Sequence, residues 1–327
     1  MANASAAPLP SEAMPKRLLW RGESLPADAG RIALPLDVEE ELESIVAALE
    51  QDPLPLLLLR PEDFVLDASR RFVRDVRRQL DEGPGFAIID RLPVDRWSPS
   101  SARAVWWLLA SLVARPVAQK WDGTSIYDVC DLGRPPGNGV RPDVTNAEQN
   151  FHTDNSYNHV PPHYVGLMCL RTAMEGGVSG IVSFATAHEE MRRRQPDLLP
   201  RLYQPFYFDR QREHAPDDVM TTYHPMFEHR GDRLVARLSR FQVVNGHKLA
   251  GVELDPQGIA AIEAFEAILN LPGMAARFHF EPGQIQLIDN RALGHKRTAF
   301  RDWPEPERKR LLVRLWLRDE GGRAYNG

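Results

Sequence analysis

The run Leu311-Leu312-Val313-Arg314-Leu315-Trp316-Leu317, close to the end of the chain, reads as a β-strand. Side chains alternate between the two faces of a strand, so Leu311, Val313, Leu315 and Leu317 form one apolar face. Arg310, Leu312, Arg314, Trp316 and Arg318 share the other. Similar runs precede it at Tyr164 to Leu170, Ile181 to Phe184, Leu234 to Leu238, Phe278 to Phe280 and Ile285 to Ile288, many of them set apart by turn residues. Strands spaced in this way, with Gly and Pro between them, argue for an antiparallel sandwich or barrel, with a helix at about 255–269 packed against its outside.

Upstream the pattern is mixed. The acidic run Glu39-Glu40-Glu41 leads into an amphipathic helix between Val38 and Leu49. Residues 67–81 give a second helix before the turn at Gly83-Pro84-Gly85, and residues 100–115 a third, with a serine cap at Ser98 or Ser100. Phe86-Ala87-Ile88-Ile89-Asp90 reads as a strand, and Leu54-Pro55-Leu56-Leu57-Leu58-Leu59 as a buried one. The expected class is therefore mixed α+β, mainly β. Residues 1–15 read as a flexible N-terminal tail and 16–327 as a single domain whose N-terminal part is mixed α/β. A chain of 327 residues with 43% hydrophobic and 26% charged residues can bury one substantial core. The segment from Gly133 to Asp143, rich in Gly, Pro and Arg, precedes the richest polar cluster. It suits a mobile loop over a site and an ordinary surface loop equally well.

Charge and composition narrow the partners. The net charge of −5 comes without any block of like charge. The clusters Arg70-Arg71, Arg77-Arg78 and Arg192-Arg193-Arg194 lie in helix-like stretches beside acidic residues, where a solvated face explains them more simply than a phosphate track. Nucleic acid is thus not an expected partner. The most apolar stretch, Leu54 to Leu59, is far shorter than the roughly 20 residues needed to cross a bilayer, so no membrane association is expected. Cys130 and Cys169 have neither CxxC nor metal-finger spacing, which fits a reducing, cytoplasmic setting.

Chemistry is concentrated at three His-x-acid pairs: His152-Thr153-Asp154, His188-Glu189-Glu190 and His279-Phe280-Glu281. On extended backbone such a pair points both side chains to one face, where both reach one ion. With a later histidine it gives two imidazoles and a carboxylate on one side of a metal, the set that suits iron(II) and leaves positions open. His188 and Glu190 start a helix-like stretch, on which residues two apart diverge. His279 is explained as well by a half-buried sheet histidine beside the Pro282-Gly283 turn. His152 and Asp154 stand among Asn146, Gln149, Asn150, Asn155, Ser156 and Tyr157, a polar density that points to use.

His152-Thr153-Asp154, Pro161-Pro162 and Glu175-Gly176-Gly177-Val178-Ser179 occur in order with Phe280-Glu281-Pro282-Gly283-Gln284-Ile285 and Asp289-Asn290-Arg291. His295-Lys296-Arg297-Thr298-Ala299-Phe300 and Arg310-Leu311-Leu312-Val313-Arg314 complete the set. In order and interval this combination resembles the taurine dioxygenase (TauD/TfdA) family of the taurine dioxygenase and clavaminate synthase superfamily, over roughly residues 146–318. The resemblance implies a double-stranded β-helix, or jelly-roll, core with flanking helices. It further implies His152, Asp154 and His295 as iron ligands, and Ser179 and Arg310 as the grip on the far carboxylate of 2-oxoglutarate. A guanidinium suits that task, since it offers two parallel donors and keeps its charge when half buried. Arg314 matches a position used against an anionic substrate group, while Asn150, Asn155 and Tyr157 are further candidates to face a substrate. Without these motifs the charged face of the last strand would read as solvated; with them it turns toward the site. Lys296 stands where the family often has glycine, so the local backbone is expected to differ while ligation survives.

The implied activity is an iron(II)- and 2-oxoglutarate-dependent oxygenase. It would use O2 to hydroxylate an unactivated C–H bond of a small polar molecule, releasing succinate and carbon dioxide. The intact Asp154 favours hydroxylation over halogenation. Desaturation, cyclisation and epimerisation need only a different fate for the substrate and stay open. A zinc hydrolase would use the same three donors but leaves Arg310 and Ser179 without a purpose. A non-catalytic 2-oxoglutarate-binding module is the remaining alternative. Nothing in the sequence bears on the oligomeric state.

Overall fold

The structure, a computed structural model, describes residues 14–135, 142–231 and 233–327. Chain order begins with β1 (Arg31–Ala33), α1 (Leu36–Gln51), α2 (Asp67–Asp81), β2 (Phe86–Asp90), α3 (Pro99–Val113), β3 (Arg115–Val117) and β4 (Ile126–Val129). It continues through β5 (Gln149–His152), β6 (Tyr164–Arg171), β7 (Glu175–Gly176), β8 (Ser179–Ser183), α4 (Phe184–Arg194), α5 (Leu199–Leu202), β9 (Pro205–Asp209) and β10 (Thr221–Pro225). Then follow β11 (Phe227–Arg230), β12 (Arg233–Ala236), α6 (Arg240–Ala250), α7 (Pro256–Leu269), β13 (Ala276–Phe278), β14 (Ile285–Asp289), β15 (Leu293–Arg297), β16 (Phe300–Arg301) and β17 (Leu311–Arg318).

Two sheets organise these elements. The larger runs β1-β2-β14-β6-β17-β3, with β4 also paired to β17; the smaller runs β13-β8-β15-β5. Apart from the parallel β1–β2 pair, the pairings in both are antiparallel. Strand alternation sorts the apolar side chains of the large sheet into two layers. Ala87, Ile89, Met168, Leu287, Val313 and Leu315 pack with the helices α1, α2 and α3. Phe86, Ile88, Val165, Ile288 and Trp316 face the other way and share a core with Phe151, Ile181 and Leu293 of the small sheet, backed by α4 and α7. Gly166 permits the close approach of α3, because a Cβ there would lie 2.5 Å from the Trp106 ring. Trp106 also donates to the Val313 carbonyl at 3.2 Å.

The helices expected at 38–49, 67–81 and 255–269 form, as does the third, where the Ser98 hydroxyl accepts from the Ser101 amide. The buried strand expected at Leu54–Leu59 does not. Leu56–Leu58 is a single 3-10 turn, and Leu54, Leu57 and Leu58 are exposed. Pro53 and Pro55 explain this, since each lacks the N–H a sheet ladder requires. The strand expected to reach Phe280 stops at Phe278, and His279 is exposed outside it. β17, whose polar face alone would have suggested solvent, is buried along its whole length between β6 and the pair β3 and β4. Of residues 1–15, expected as a flexible tail, 1–13 lie outside the described residues, while Met14 is buried in the core. Within the Gly133–Asp143 loop, residues 136–141 likewise lie outside the described residues. No helix among the described residues is long and apolar enough to cross a membrane.

Candidate metal centre

β5 and β15 are antiparallel neighbours, and their register sets His152 directly across from His295. Residues opposite one another on adjacent strands share a face, so the two imidazoles meet, with ring centroids 4.2 Å apart. The backbone leaves the strand after His152, and Asp154 returns its carboxylate to the same point. Its Oδ1 lies 3.3 Å from His152 Nε2 and 3.4 Å from His295 Nε2. One donor atom from each residue falls within 4.8 Å of the others. Ligands at about 2.1 Å from an ion in neighbouring octahedral positions lie about 3 Å apart, so this spacing suits a divalent cation.

The support around Asp154 fixes its pose. Asn290 accepts from the Asp154 amide at 2.8 Å and donates to the carbonyls of Asp154 at 3.0 Å and Pro162 at 3.2 Å. Trp316 Nε1 donates to Oδ2 at 2.6 Å, and the Arg314 guanidinium stands 3.2 Å from the same oxygen. Burial would raise this carboxyl, but the charge of Arg314, with the two imidazoles against Oδ1, outweighs it and holds it well below the usual carboxylate range. The His295 imidazole is pushed down by burial and by His152, which favours the neutral form a metal requires. His152 Nδ1 sits 2.8 Å from the Asn150 carbonyl and so carries the proton, leaving the Nε2 lone pair to face the carboxylate.

Two cavities open from this point. One, about 560 Å³, is lined by Asp154, Asn155, Tyr157, Gln242, Arg314 and Trp316, with Asn150 and Phe241 on its exposed side. Asn155 adopts φ 56°, a left-handed conformation asparagine tolerates, and its buried Nδ2 has no hydrogen-bond partner among the described residues. The Tyr325 hydroxyl donates to that of Tyr157 at 2.8 Å. Arg314 is already engaged: besides Asp154, it donates through Nε to Gln119 at 2.8 Å and lies 3.8 Å from Asp143.

The other cavity is small, about 40 Å³, and joins the three donors to Ser179, Arg297 and Arg310. Ser179 donates to Gln286 Oε1 at 2.8 Å. Arg310 is buried, and its Nη1 has no hydrogen-bond partner among the described residues. Burial pushes this guanidinium down to about 10, still charged at neutral pH. Gly177, at φ 67°, lies against it: a Cβ there would meet Arg310 Nε at 3.4 Å.

Of the three His-x-acid pairs, only the first converges with a later histidine. His188 is on α4 and pairs with the Tyr203 hydroxyl at 2.8 Å, and His279 is exposed. Sequence reasoning passed over Asn290, Trp316, Gln119, Asp143 and Arg297 as site residues. Trp316 shares a strand face with Arg314, and Asn290 and Arg297 lie within the sequence motifs, so a signal existed for these three; Gln119 and Asp143 carried none.

A model of the family described as taurine catabolism dioxygenase TauD, TfdA family, matches residues 50–316. FR-33289 synthase of Streptomyces rubellomurinus is 25% identical over 94% of this chain and 91% of its own. Among solved structures, asparagine oxygenase in complex with Fe(II), 2S,3S-3-hydroxyasparagine and succinate superposes with a TM-score of 0.66 at 19% identity, covering 89% of this chain and 94% of that one. The non-heme iron oxygenase OrfP, in complex with Fe, succinate and (3S)-hydroxy-L-Arg, gives a TM-score of 0.65 at 14% identity with the same coverage.

Proposed function

From the premise that this chain belongs to the TauD, TfdA family of taurine catabolism dioxygenases, we propose that His152, Asp154 and His295 hold its iron(II) and that Ser179 and Arg310 hold its 2-oxoglutarate. The enzyme is an iron(II)- and 2-oxoglutarate-dependent oxygenase. Iron and 2-oxoglutarate, when bound, supply the oxygen activation that hydroxylates a C–H bond with release of succinate and carbon dioxide. The observation that carries the assignment is one small cavity with the three metal donors at one end and a buried, incompletely paired arginine at the other.

The remaining work belongs to this chain's side chains. Asn290, Trp316 and Arg314 keep Asp154 ionised and aimed. Arg310 offers charge-assisted donors to the distal carboxylate, and Ser179 adds a hydroxyl. The larger cavity takes the substrate, with Asn150, Asn155, Tyr157 and Arg314 as its polar contacts, and its volume of about 560 Å³ suits a small molecule. Burial of this floor excludes water from the reacting carbon. The two facing sheets with an apolar core between them support a jelly-roll core, and residues 16–327 form a single domain around it.

A screen of small amino acids, sulfonates, betaines and carboxylates for substrate-dependent succinate formation tests the proposal. Iron- and 2-oxoglutarate-dependent turnover with one succinate per oxidised substrate is the expected result. Hydrolysis supported by zinc without 2-oxoglutarate would overturn it.

A further inference from the structure

β15 places a second arginine beside the proposed 2-oxoglutarate subsite. His295 and Arg297 are two residues apart on this strand, so their side chains leave the same face. The β15–β8 register sets Arg297 directly across from Ser179. Both residues line the small cavity together with Arg310 and the three metal donors. Arg297 and Arg310 also lie against one aromatic ring, their guanidinium carbons 4.7 Å and 5.1 Å from the Phe300 centroid.

Arg297 Nη2 donates to the carbonyls of Ala147 and Pro142. Its Nε and Nη1 are buried without partners, as is Nη1 of Arg310. Neither guanidinium makes an ion pair among the described residues, so two like charges share a buried pocket in which carboxylates such as Asp143 and Asp302 act only from beyond ion-pair distance. Buried charge without a counter-charge is destabilising, and a ligand that brings the missing charge recovers that loss. One carboxylate has two oxygens and about four acceptor sites, enough for two guanidinium groups.

On the reading that this cavity binds 2-oxoglutarate, we infer that Arg297 is a second cation for the distal carboxylate. Together with Arg310 it makes the subsite select a dianionic 2-oxo diacid over a monocarboxylic 2-oxo acid. Arg297 is a positioning residue in this account, with Nη2 anchored to the 142–147 segment and its remaining N–H groups presented to the co-substrate.

Anaerobic calorimetry on the iron(II)-loaded protein decides this. It compares 2-oxoglutarate with 2-oxobutyrate, which chelates through the same keto acid but lacks the distal carboxylate. Arg297→Gln should weaken 2-oxoglutarate about tenfold to a hundredfold and leave 2-oxobutyrate unchanged. Arg297→Lys, which keeps the charge, should recover part of the discrimination. Unchanged 2-oxoglutarate binding in Arg297→Gln, alongside weakened binding in Arg310→Gln, would overturn this inference alone. Equal weakening of both acids in Arg297→Gln and Arg297→Lys would reduce Arg297 to a strut for the 142–147 segment and overturn it as well. If the wild-type protein binds neither acid, the assignment of the co-substrate site itself fails.

Discussion

Removing the Asn290 side chain is the sharpest probe of how the Asp154 carboxylate, the proposed metal ligand, is held. Asn290→Ala deletes three hydrogen bonds, of 2.8, 3.0 and 3.2 Å, at a residue that is 1% exposed. The Asp154 amide and the carbonyls of Asp154 and Pro162 would then be buried without partners. Each such group costs about 1–3 kcal/mol. Neighbouring losses do not add fully, so the expected loss of unfolding free energy is about 3–5 kcal/mol. A domain with the usual 5–15 kcal/mol of stability can lose this much and still fold. Urea unfolding of the metal-free protein measures the first effect. Anaerobic iron(II) titration measures the second, an affinity lower by about tenfold to a hundredfold because the ligand is no longer aimed. A stability loss below about 1 kcal/mol with unchanged iron affinity would refute the clamp, since the amide would then be replaceable by alanine without consequence.

Further expectations follow from the same geometry. Asp154→Ala should abolish both iron binding and succinate formation; iron-dependent turnover in that variant would remove the carboxylate from the ligand set. Arg310→Ala should raise the KM for 2-oxoglutarate much more than it lowers kcat, and wild-type kinetics would contradict its role. Stability should fall as pH drops from about 6.5 toward 4. Burial, then the repulsion of His229, brings His188 down to about 4 from its ordinary 6.5, and burial and Arg237 do the same to His224. The unfolded chain therefore takes up these protons first, so the stability is fully present above 6.5 and lost through that window. A melting temperature independent of pH between 7 and 5 would show that the fold does not hold these histidines below their ordinary value.

Local signals in the sequence were read correctly where local physics decides. Ser98 caps α3, alternation separates the two faces of β17, and the polar surroundings of His152 distinguish it from His188 and His279. Leu54–Leu59 misled because apolar content outweighed Pro53 and Pro55, which deny a sheet its donors. The polar face of β17 alone could not announce its burial, since that depends on β4, β6 and the second sheet meeting around it. Gln119 reaches Arg314 across 195 positions, and Asn290 reaches Asp154 across 136. Such pairs leave no periodicity to read, and only the fold brings them together. His152 and His295 were joined through motif order, while their closeness rests on the β5–β15 register.

β17 also carries a safeguard against misassembly. Arg310, Arg314 and Arg318 lie at intervals of four in and just before this strand, and all three are buried on the side away from α1, α2 and α3. Arg318 is committed to the carbonyls of Val160, Ala324 and Tyr325. If the strand docked one position out of step, Arg314 and Arg318 would be driven into the oily layer beneath the helices, and Val313, Leu315 and Leu317 would replace them at the polar end. Two stranded cations make that mispairing far costlier than a slip between uniformly apolar strands. Arg314, which lines the pocket, and Arg318, which does not, thus both favour the one register that the central sheet adopts.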